Sequence, residues 1–195
     1  KYFDDLPEEE QLVIQAKQAG IDMISTNDIN YDQGLLEEYL HQAMMKEKLT
    51  LNDLEIIDLR ILSLGLKDFE KEEFIDLLSK VLLAASYFPI NDLDKVQSTI
   101  IAAAGILSHY EEYDLLPDVL DVLEDIMSRR NDFQDRIFSY ALQWKIALFL
   151  NHNYEEAEEN YQRVSMLVDL LTEEVLKENM ELDWEQDKVR FKQMK

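Results

Sequence analysis

Few residues of this sequence have the types and spacing that chemistry requires. The chain has three histidines, His41, His109 and His152, and none has a second histidine at the spacing of a metal-ligand pair. The sequence contains no glycine-rich nucleotide-binding loop and no G-x-S-x-G motif, and its many acids form no recognisable active-site motif. We therefore expect the histidines to be surface or turn residues. We predict a protein that is not an enzyme and that has neither catalytic residues nor a cofactor.

One acidic stretch comes close to a calcium-binding loop. Asp28, Asn30 and Asp32 occupy the first, third and fifth positions of such a loop. The sixth position, which must be glycine for a sharp turn, is Gln33, and the twelfth, which must be a bidentate glutamate, is Tyr39. The stretch therefore predicts an ordinary Asx-rich turn rather than a metal site.

Charge and composition exclude several classes of protein. The 195 residues include 42 acidic and 19 basic side chains, and binding of nucleic acid would require clustered Lys and Arg. The net charge of −23 indicates a solvated helical surface, with selection for a basic partner as the alternative. The absence of cysteine excludes disulfides and thiolate chemistry and suits a reducing compartment. Because no apolar run approaches about 18 residues and no signal peptide opens the chain, we expect a cytoplasmic protein without a membrane partner.

The distribution of helix-breaking residues predicts helix along most of the chain, because only four glycines and three prolines are present. A first helix is expected to begin near Pro7, with three glutamates at its positive end, and to stop at Gly20. A loop over residues 25–30 and a helix over residues 32–47 should follow.

The next segment contains a strong helix start, a predicted capping box formed by Thr50 and Asp53. The apolar residues behind it form one stripe at spacings of three and four, which Gly65 ends: Leu54, Ile57, Ile61 and Leu64. Three further helices are expected in KDFEKEEFIDLLSKVLLAASYF, which Pro89 closes, in NDLDKVQSTIIAAAGILSHY and in LLPDVLDVLEDIMSRR.

A short polar turn at residues 151–153 predicts a hairpin of two antiparallel helices, in which the small Ala157 would let the backbones approach closely. Aromatic residues just beyond a turn recur at Phe69, Tyr113 and Tyr154, at spacings of 44 and 41 residues. These features predict an all-α fold of tetratricopeptide-like helical hairpin repeats, stacked in a right-handed solenoid. An irregular helical bundle with chance spacing is the alternative. We expect one domain with three parts: a first hairpin over residues 1–48, central repeats over 49–171 and a capping helix over 172–195.

A solenoid of this kind has a concave groove, and the repeat pattern predicts which residues line it. The predicted lining residues are Ser98, Ile101, Ala102 and Gly105 on one helix and Ser139, Leu142, Gln143, Ile146 and Phe149 on another. Small residues leave room for the bulky side chains of a ligand, and Ser and Gln can bind an extended backbone. The groove therefore suits a short apolar peptide. The alternative for each residue is packing against the next repeat.

The C-terminal segment reads as a charged helix with a single apolar stripe formed by Met180, Trp184 and Phe191. The last repeat of a solenoid leaves an apolar face that must be covered. The stripe either covers this face within one chain or also meets its own copy in a twofold homodimer, where Trp184 would be an anchor.

The stretch from LTLNDLEIIDLRILSLGL to the C-terminus resembles the C-terminal regulatory domain of the Rgg family of streptococcal-type transcription regulators. These belong to the wider group of Gram-positive peptide-pheromone receptors. The resemblance covers most of the chain and lies in helix order, length and texture rather than in a sharp motif. It implies homodimers controlled by imported short hydrophobic peptides that bind in the concave groove.

The resemblance also implies individual residues and a further domain. Arg60, in DLRILSL, resembles a groove arginine of the family, although by periodicity alone it could equally be a rim residue. The groove asparagine of the family has no clear counterpart in QSTIIAAAGILS. Family members carry an N-terminal helix-turn-helix ahead of this domain, and a sequence that begins with Lys1 fits its absence here.

We therefore predict the peptide-binding, dimerising regulatory domain of a quorum-sensing transcription regulator, which contacts DNA only through a helix-turn-helix outside this sequence. Arg60 is expected to pair with a peptide carboxylate or to clamp a peptide carbonyl. The alternative is a helical-repeat adaptor that binds a protein segment and has no role linked to DNA.

Overall fold

The computed structural model describes residues 3–26, 33–64, 71–130, 135–171 and 174–194. All regular structure in these residues is helical, which confirms the all-α prediction. The α-helices in these residues are α1 (Glu8–Thr26), α2 (Gln33–Met45), α3 (Leu51–Leu64), α4 (Lys71–Ala84), α5 (Leu93–His109), α6 (Leu116–Arg130), α7 (Asp135–Phe149), α8 (Tyr154–Leu171) and α9 (Glu174–Gln193). Within the same residues, none of the helices combines the length and the apolar character needed to cross a bilayer.

The chain divides into two units, unit 1 (Lys1–Ile106) and unit 2 (Leu107–Lys195). In unit 1, α1 packs against both α2 and α3, and α2 packs against α3. In unit 2, α7 packs against α6, α8 and α9, and α8 also packs against α9. Within these two groups, helices that follow each other in the chain thus pack together, as the tetratricopeptide-like pattern predicted.

Helix α1 is longer than the sequence predicted. It begins beside Pro7, as expected, but continues through Gly20 to Thr26. Gly20 is buried where α1 meets α3, and a Cβ atom at Gly20 would lie 2.9 Å from the Cβ atom of Leu59. The glycine therefore permits the close approach of two helices, and the prediction that it ends the helix is wrong.

Some predicted features fall outside the described residues: most of the loop over residues 25–30, the helix end at Gly65 and the aromatic Phe69. The other two recurring aromatics occupy different environments. Tyr113 is buried before α6 and stacks on Phe149 with ring centroids 4.0 Å apart, whereas Tyr154 is the exposed first residue of α8. Tyr113 and Tyr154 are therefore not structurally equivalent, although both follow a turn.

The hairpin of α7 and α8 forms as predicted. Asn153 closes the turn by donating its N–H to Ala147 O at 2.8 Å, and its Oδ1 accepts the N–H of Glu156 at 3.2 Å, which caps the start of α8. His152 adopts a left-handed backbone conformation with φ 52°. Ala157 is fully buried, in keeping with the close approach of the two helices that was expected of a small residue.

A buried carboxylate holds the start of α3. The predicted capping box is confirmed, because the Thr50 N–H donates to Asp53 Oδ2 at 2.6 Å and the Asp53 N–H donates to Thr50 Oγ1 at 3.3 Å. Asp53 Oδ1 also accepts the Tyr39 hydroxyl at 2.7 Å and the Lys46 ammonium at 2.8 Å. Because Tyr39 lies on α2 and Lys46 in the turn behind it, this carboxylate ties α2 to α3.

These hydrogen bonds determine the charge state of Asp53. Burial by itself would raise the pKa of Asp53, but hydrogen bonds from Lys46, Thr50 and Tyr39 outweigh it and hold the pKa below its ordinary value of 3.8. A carboxyl group whose folded pKa is depressed stabilises the fold above its unfolded pKa. That contribution is lost as the pH falls through the folded pKa.

We expect Asp53→Ala to lower the free energy of unfolding at neutral pH by about 3 kcal/mol, because Tyr39, Lys46 and Thr50 all lose the buried carboxylate that accepts their hydrogen bonds. Urea denaturation measures this loss. Its size should decrease as the pH falls from the ordinary carboxyl pKa of 3.8 through the lower pKa of the folded parent.

The matched control is Asp76→Ala, which removes an exposed acid of α4 and should change stability by less than about 0.5 kcal/mol. The role given to Asp53 would be contradicted if Asp53→Ala lost as little unfolding free energy as Asp76→Ala. It would also be contradicted if the loss in Asp53→Ala were the same at every pH.

Candidate functional site

The three histidines are exposed, as expected for surface or turn residues. Within the described parts of the chain, no group of three or more His, Asp or Glu side chains is arranged to hold a metal ion.

In unit 1, a narrow stripe of α5 reaches the surface while the rest of the helix is largely buried. The stripe contains the residues that the repeat pattern placed in a groove: Ser98, Ile101, Ala102 and Gly105. Ser98 and Gly105 are exposed and the other two are half-buried, whereas Ile100 and Ala103 on the other side are buried. A Cβ atom at Gly105 would meet no described atom within 4 Å, so the space above this part of the helix is open.

Contacts from α3 and α1 adjoin this stripe. Asp58 of α3 is half-buried and accepts hydrogen bonds from the side chains of Ser98 and Thr99 on α5. Glu55, one turn earlier on α3, forms an ion pair with Lys17 of α1 at 2.5 Å. A row of polar contacts thus runs from α1 across α3 to α5.

Three isoleucines of α1 are exposed. Ile14, Ile21 and Ile24 are between 43% and 50% exposed, and their spacing puts them on the same side of the helix as Lys17. We call the surface formed by these elements the unit 1 face; it comprises Ile14, Lys17, Ile21, Ile24, Glu55, Asp58, Ser98, Ile101, Ala102 and Gly105. Sequence reasoning gave no role to α1, because isoleucines at helical spacing are equally typical of a packed face.

Arg60, which is predicted to bind the peptide, pairs with an acid of α2. It is 1% exposed, and its guanidinium donates to Glu37 Oε1 of α2 at 2.7 Å. Arg60 therefore ties α3 to α2. The pairing of Arg60 with a peptide stays a prediction.

The predicted lining residues of α7 belong to unit 2, where most of them serve packing. Three of them are buried, namely Ser139, Leu142 and Phe149, and two are half-buried, namely Gln143 and Ile146. Ser139 and Gln143 both donate to Glu124 Oε1 of α6, at 3.1 and 3.0 Å. Phe149 is engaged by its stacking on Tyr113. Gln143 and Ile146 are therefore the members of this set that retain accessible surface.

Helix α9 is fastened to α7 by a buried polar contact. Asp187, 2% exposed, accepts the indole N–H of Trp144 at 2.9 Å and the ammonium of Lys145 at 2.5 Å. One turn earlier, Trp184 stacks on Tyr161 of α8 with ring centroids 4.8 Å apart and meets Trp144 edge-on. The predicted capping helix is confirmed in this form, because α9 covers α7 and α8.

The stripe predicted for a dimer faces the interior of unit 2. Trp184 and Phe191 are each 3% exposed, and Met180 is half-buried. The opposite side of α9 carries a second apolar stripe at a spacing of seven, more than half exposed at every position: Val175, Leu182 and Val189. Sequence reasoning missed it, because charged residues surround it and because the aromatic stripe is the stronger signal.

The chain is similar over almost its whole length to known proteins. Residues 1–184 match a family model described as the ComR tetratricopeptide. No curated protein sequence matches the chain.

Solved structures share the fold. ComR from Streptococcus suis is 30% identical, with a TM-score of 0.66 over 96% of this chain and 62% of that one. The competence regulator ComR from Streptococcus vestibularis, in complex with its cognate signaling peptide XIP, is 25% identical, with a TM-score of 0.73 over 96% of this chain and 64% of that one. ComR from S. thermophilus, in complex with DNA and its signalling peptide ComS, has the same TM-score and coverage, and its 23% identity shows the fold alone. The chain thus spans less than two thirds of each of these proteins.

The orientation of α5 can be tested by adding bulk to adjacent alanines. Ala102→Phe should leave the melting temperature unchanged, because Ala102 is only half-buried and lies one turn before Gly105, where the space above the helix is open. Ala103→Phe should cost about 1–3 kcal/mol, because Ala103 is 2% exposed and its surroundings are packed. Thermal melts followed by circular dichroism compare the two, and equal losses would show that the unit 1 face is covered in solution.

Proposed function

This chain belongs to the family of ComR tetratricopeptide domains, and from that membership we propose that it is the peptide-binding regulatory domain of a quorum-sensing transcription regulator. The observation that carries the proposal is the unit 1 face, an open apolar surface with a row of hydrogen-bonding groups. The similar ComR of S. vestibularis has been solved as a complex with a signalling peptide, which supports the same class of ligand here. The resemblance to the Rgg family supports a receptor that senses imported peptides in the cytoplasm.

The chemistry of the unit 1 face suits a short apolar peptide. Ile14 and Ile21 supply exposed apolar surface, and Ala102 and Gly105 leave space for bulky side chains. Ser98 and Asp58 provide hydrogen-bonding groups that can fix a peptide backbone. Of these residues, Ala102 and Asp58 are half-buried and the others are exposed.

We propose that DNA is contacted by a part of the full-length regulator outside this sequence. Binding to the phosphate backbone needs clustered basic residues, and this chain has a net charge of −23 with its acids spread throughout. The effect of the peptide on DNA would then be indirect, through the state of this domain. Addition of a peptide that binds this domain should change the affinity of the full-length protein for operator DNA. An adaptor without a DNA-linked role would show no such change.

We further infer that the chain forms a homodimer through α9. The exposed stripe of Val175, Leu182 and Val189 has the seven-residue spacing of helices that pair along their length. The acidic residues of α9 concentrate in its first part and the basic ones toward its end: Glu174, Glu178 and Glu181, then Lys188, Arg190 and Lys192. An antiparallel twofold pair would set acidic against basic halves, which supports a second copy as the partner. Met180, Trp184 and Phe191 would then contribute by holding α9 in place.

Peptide binding is tested by isothermal titration of the domain with short apolar peptides, including XIP. Ala102→Phe should weaken binding at least about tenfold, because the phenyl ring fills the space beside Gly105. The control is Leu83→Phe, which adds the same ring at an exposed position of α4 and should leave the affinity unchanged. If no peptide binds, the proposed function is wrong; if both variants bind like the parent, the site lies elsewhere.

The dimer is tested by sedimentation velocity. Leu182→Glu should reduce the dimer fraction without loss of helical content, because it places two carboxylates, one from each copy, at the apolar seam. Leu83→Glu is the control with the same chemical change on α4. Trp184→Ala should lower stability by about 3 kcal/mol, since it empties a buried site. A monomeric parent, or an intact dimer in Leu182→Glu, would contradict the α9 interface.

A further inference from the structure

Asp58 is the acidic group of the unit 1 face whose hydrogen bonding is least complete. Its Oδ1 atom is buried and has no hydrogen-bond partner among the described residues. Ser98 and Thr99 bond to the carboxylate, but the Thr99 hydroxyl also lies 3.0 Å from the carbonyl oxygen of Lys95, and a hydroxyl has a single proton to donate. Buried polar atoms are nearly always hydrogen-bonded in folded proteins, so a half-buried carboxylate that is short of donors, beside the exposed Ser98, indicates a place for a ligand's N–H groups.

The negative charge of Asp58 is also not fully balanced by the positive charges around it. Burial raises the pKa of Asp58, and the hydrogen bonds from Thr99 and Ser98 together with the charge of Lys95 offset this only in part. Glu55 on the same helix adds a negative charge and is itself paired with Lys17. Lys95 is exposed, so solvent screens its charge. A ligand that brings a positive charge to Asp58 would therefore gain both a hydrogen bond and an ion pair.

A short apolar peptide has one cation whatever its sequence, the ammonium group at its N-terminus. This group has an ordinary pKa of about 7.7–8.0 and is mostly charged at neutral pH. It carries several N–H donors on one small atom, which matches a carboxylate that is short of donors. The C-terminal carboxylate of the same peptide would be repelled by Asp58, so the two ends of the peptide are distinguished by charge.

We propose that Asp58 receives the N-terminal ammonium group of the peptide and so fixes the direction in which the peptide lies on the unit 1 face. The inference rests on the proposed function and adds a specificity-determining residue to it. From Asp58 the peptide continues along α5, past Ala102 toward Gly105, where its side chains find space. A lysine or arginine side chain of a peptide offers similar chemistry, and the experiment separates the two sources.

The test is a double-mutant cycle measured by isothermal titration. The probe is the apolar peptide without Lys or Arg that binds the parent domain most tightly, in free and N-acetylated forms. Acetylation should weaken binding to the parent at least about tenfold and binding to Asp58→Asn less than about twofold. Asp76→Asn, at an exposed position of α4, is the matched control and should keep the full effect of acetylation.

Each outcome decides a different point. Equal effects of acetylation on the parent and on Asp58→Asn would overturn the inference while peptide binding itself stands. If acetylation has no effect on the parent, but a Lys-containing peptide binds the parent more tightly than Asp58→Asn, the cation is a side chain and the proposed direction is wrong. If no peptide binds, the proposed function fails and this inference with it.

A purely structural role for Asp58 gives a different result. It would lower the melting temperature of Asp58→Asn without changing the ratio of free to acetylated affinity, and this would also overturn the inference. We expect the melting temperature to be retained, because asparagine removes a desolvated charge and keeps an acceptor for Ser98. If Asp58→Asn nevertheless fails to fold, Asp58→Ser replaces it in the same cycle.

Discussion

Buried carboxylates that accept hydrogen bonds from neighbouring helices determine how each unit is assembled. In unit 1, Asp53 joins α2 to α3, and in unit 2, Asp187 joins α9 to α7. A buried charge is costly unless its lone pairs are matched, and both carboxylates have donors from more than one residue. In a chain with 42 acidic residues, most of which remain solvated, these two are held at fixed positions by their partners. The sides of α3 and α9 that turn inward are thereby fixed, and so are the sides left open.

The features that local sequence determines could be predicted, and those that depend on a distant partner could not. Thr50 and Asp53 are three residues apart, and the turn before Ala157 is equally local, so their structures follow from the sequence alone. A glycine after a helical segment is typical of a helix end, so the sequence predicted that α1 stops at Gly20. The contact of Gly20 with Leu59, which lies on another helix, cannot be read from the sequence. The ion pair of Arg60 with Glu37 could not be predicted from the sequence, because Glu37 lies on another helix.

The candidate site shows the same division between local and distant information. The four residues of the α5 stripe could be assigned to one side of the helix from the sequence, because they recur at helical spacing. The contributions of Ile14 and Asp58 could not be predicted, since each becomes part of the surface only when α1 and α5 are placed beside α3. Half-buried acids such as Asp58 are also inconspicuous in so acidic a sequence, where nothing local separates them from solvated carboxylates.

Helix α9 illustrates why a polar anchor matters in a helix with two apolar sides. Burying Trp184 and Phe191 is favourable, but burying Leu182 and Val189 instead would also remove apolar surface from water, so the hydrophobic effect alone discriminates weakly between the two orientations. Asp187 lies on the same side as Trp184 and finds donors only against α7, where Lys145 also neutralises its charge. Turning the helix over would leave Lys145 buried without that partner, a cost that favours a single orientation. The aromatic stripe is thereby committed to the interior of unit 2, and the aliphatic stripe remains available to a second copy.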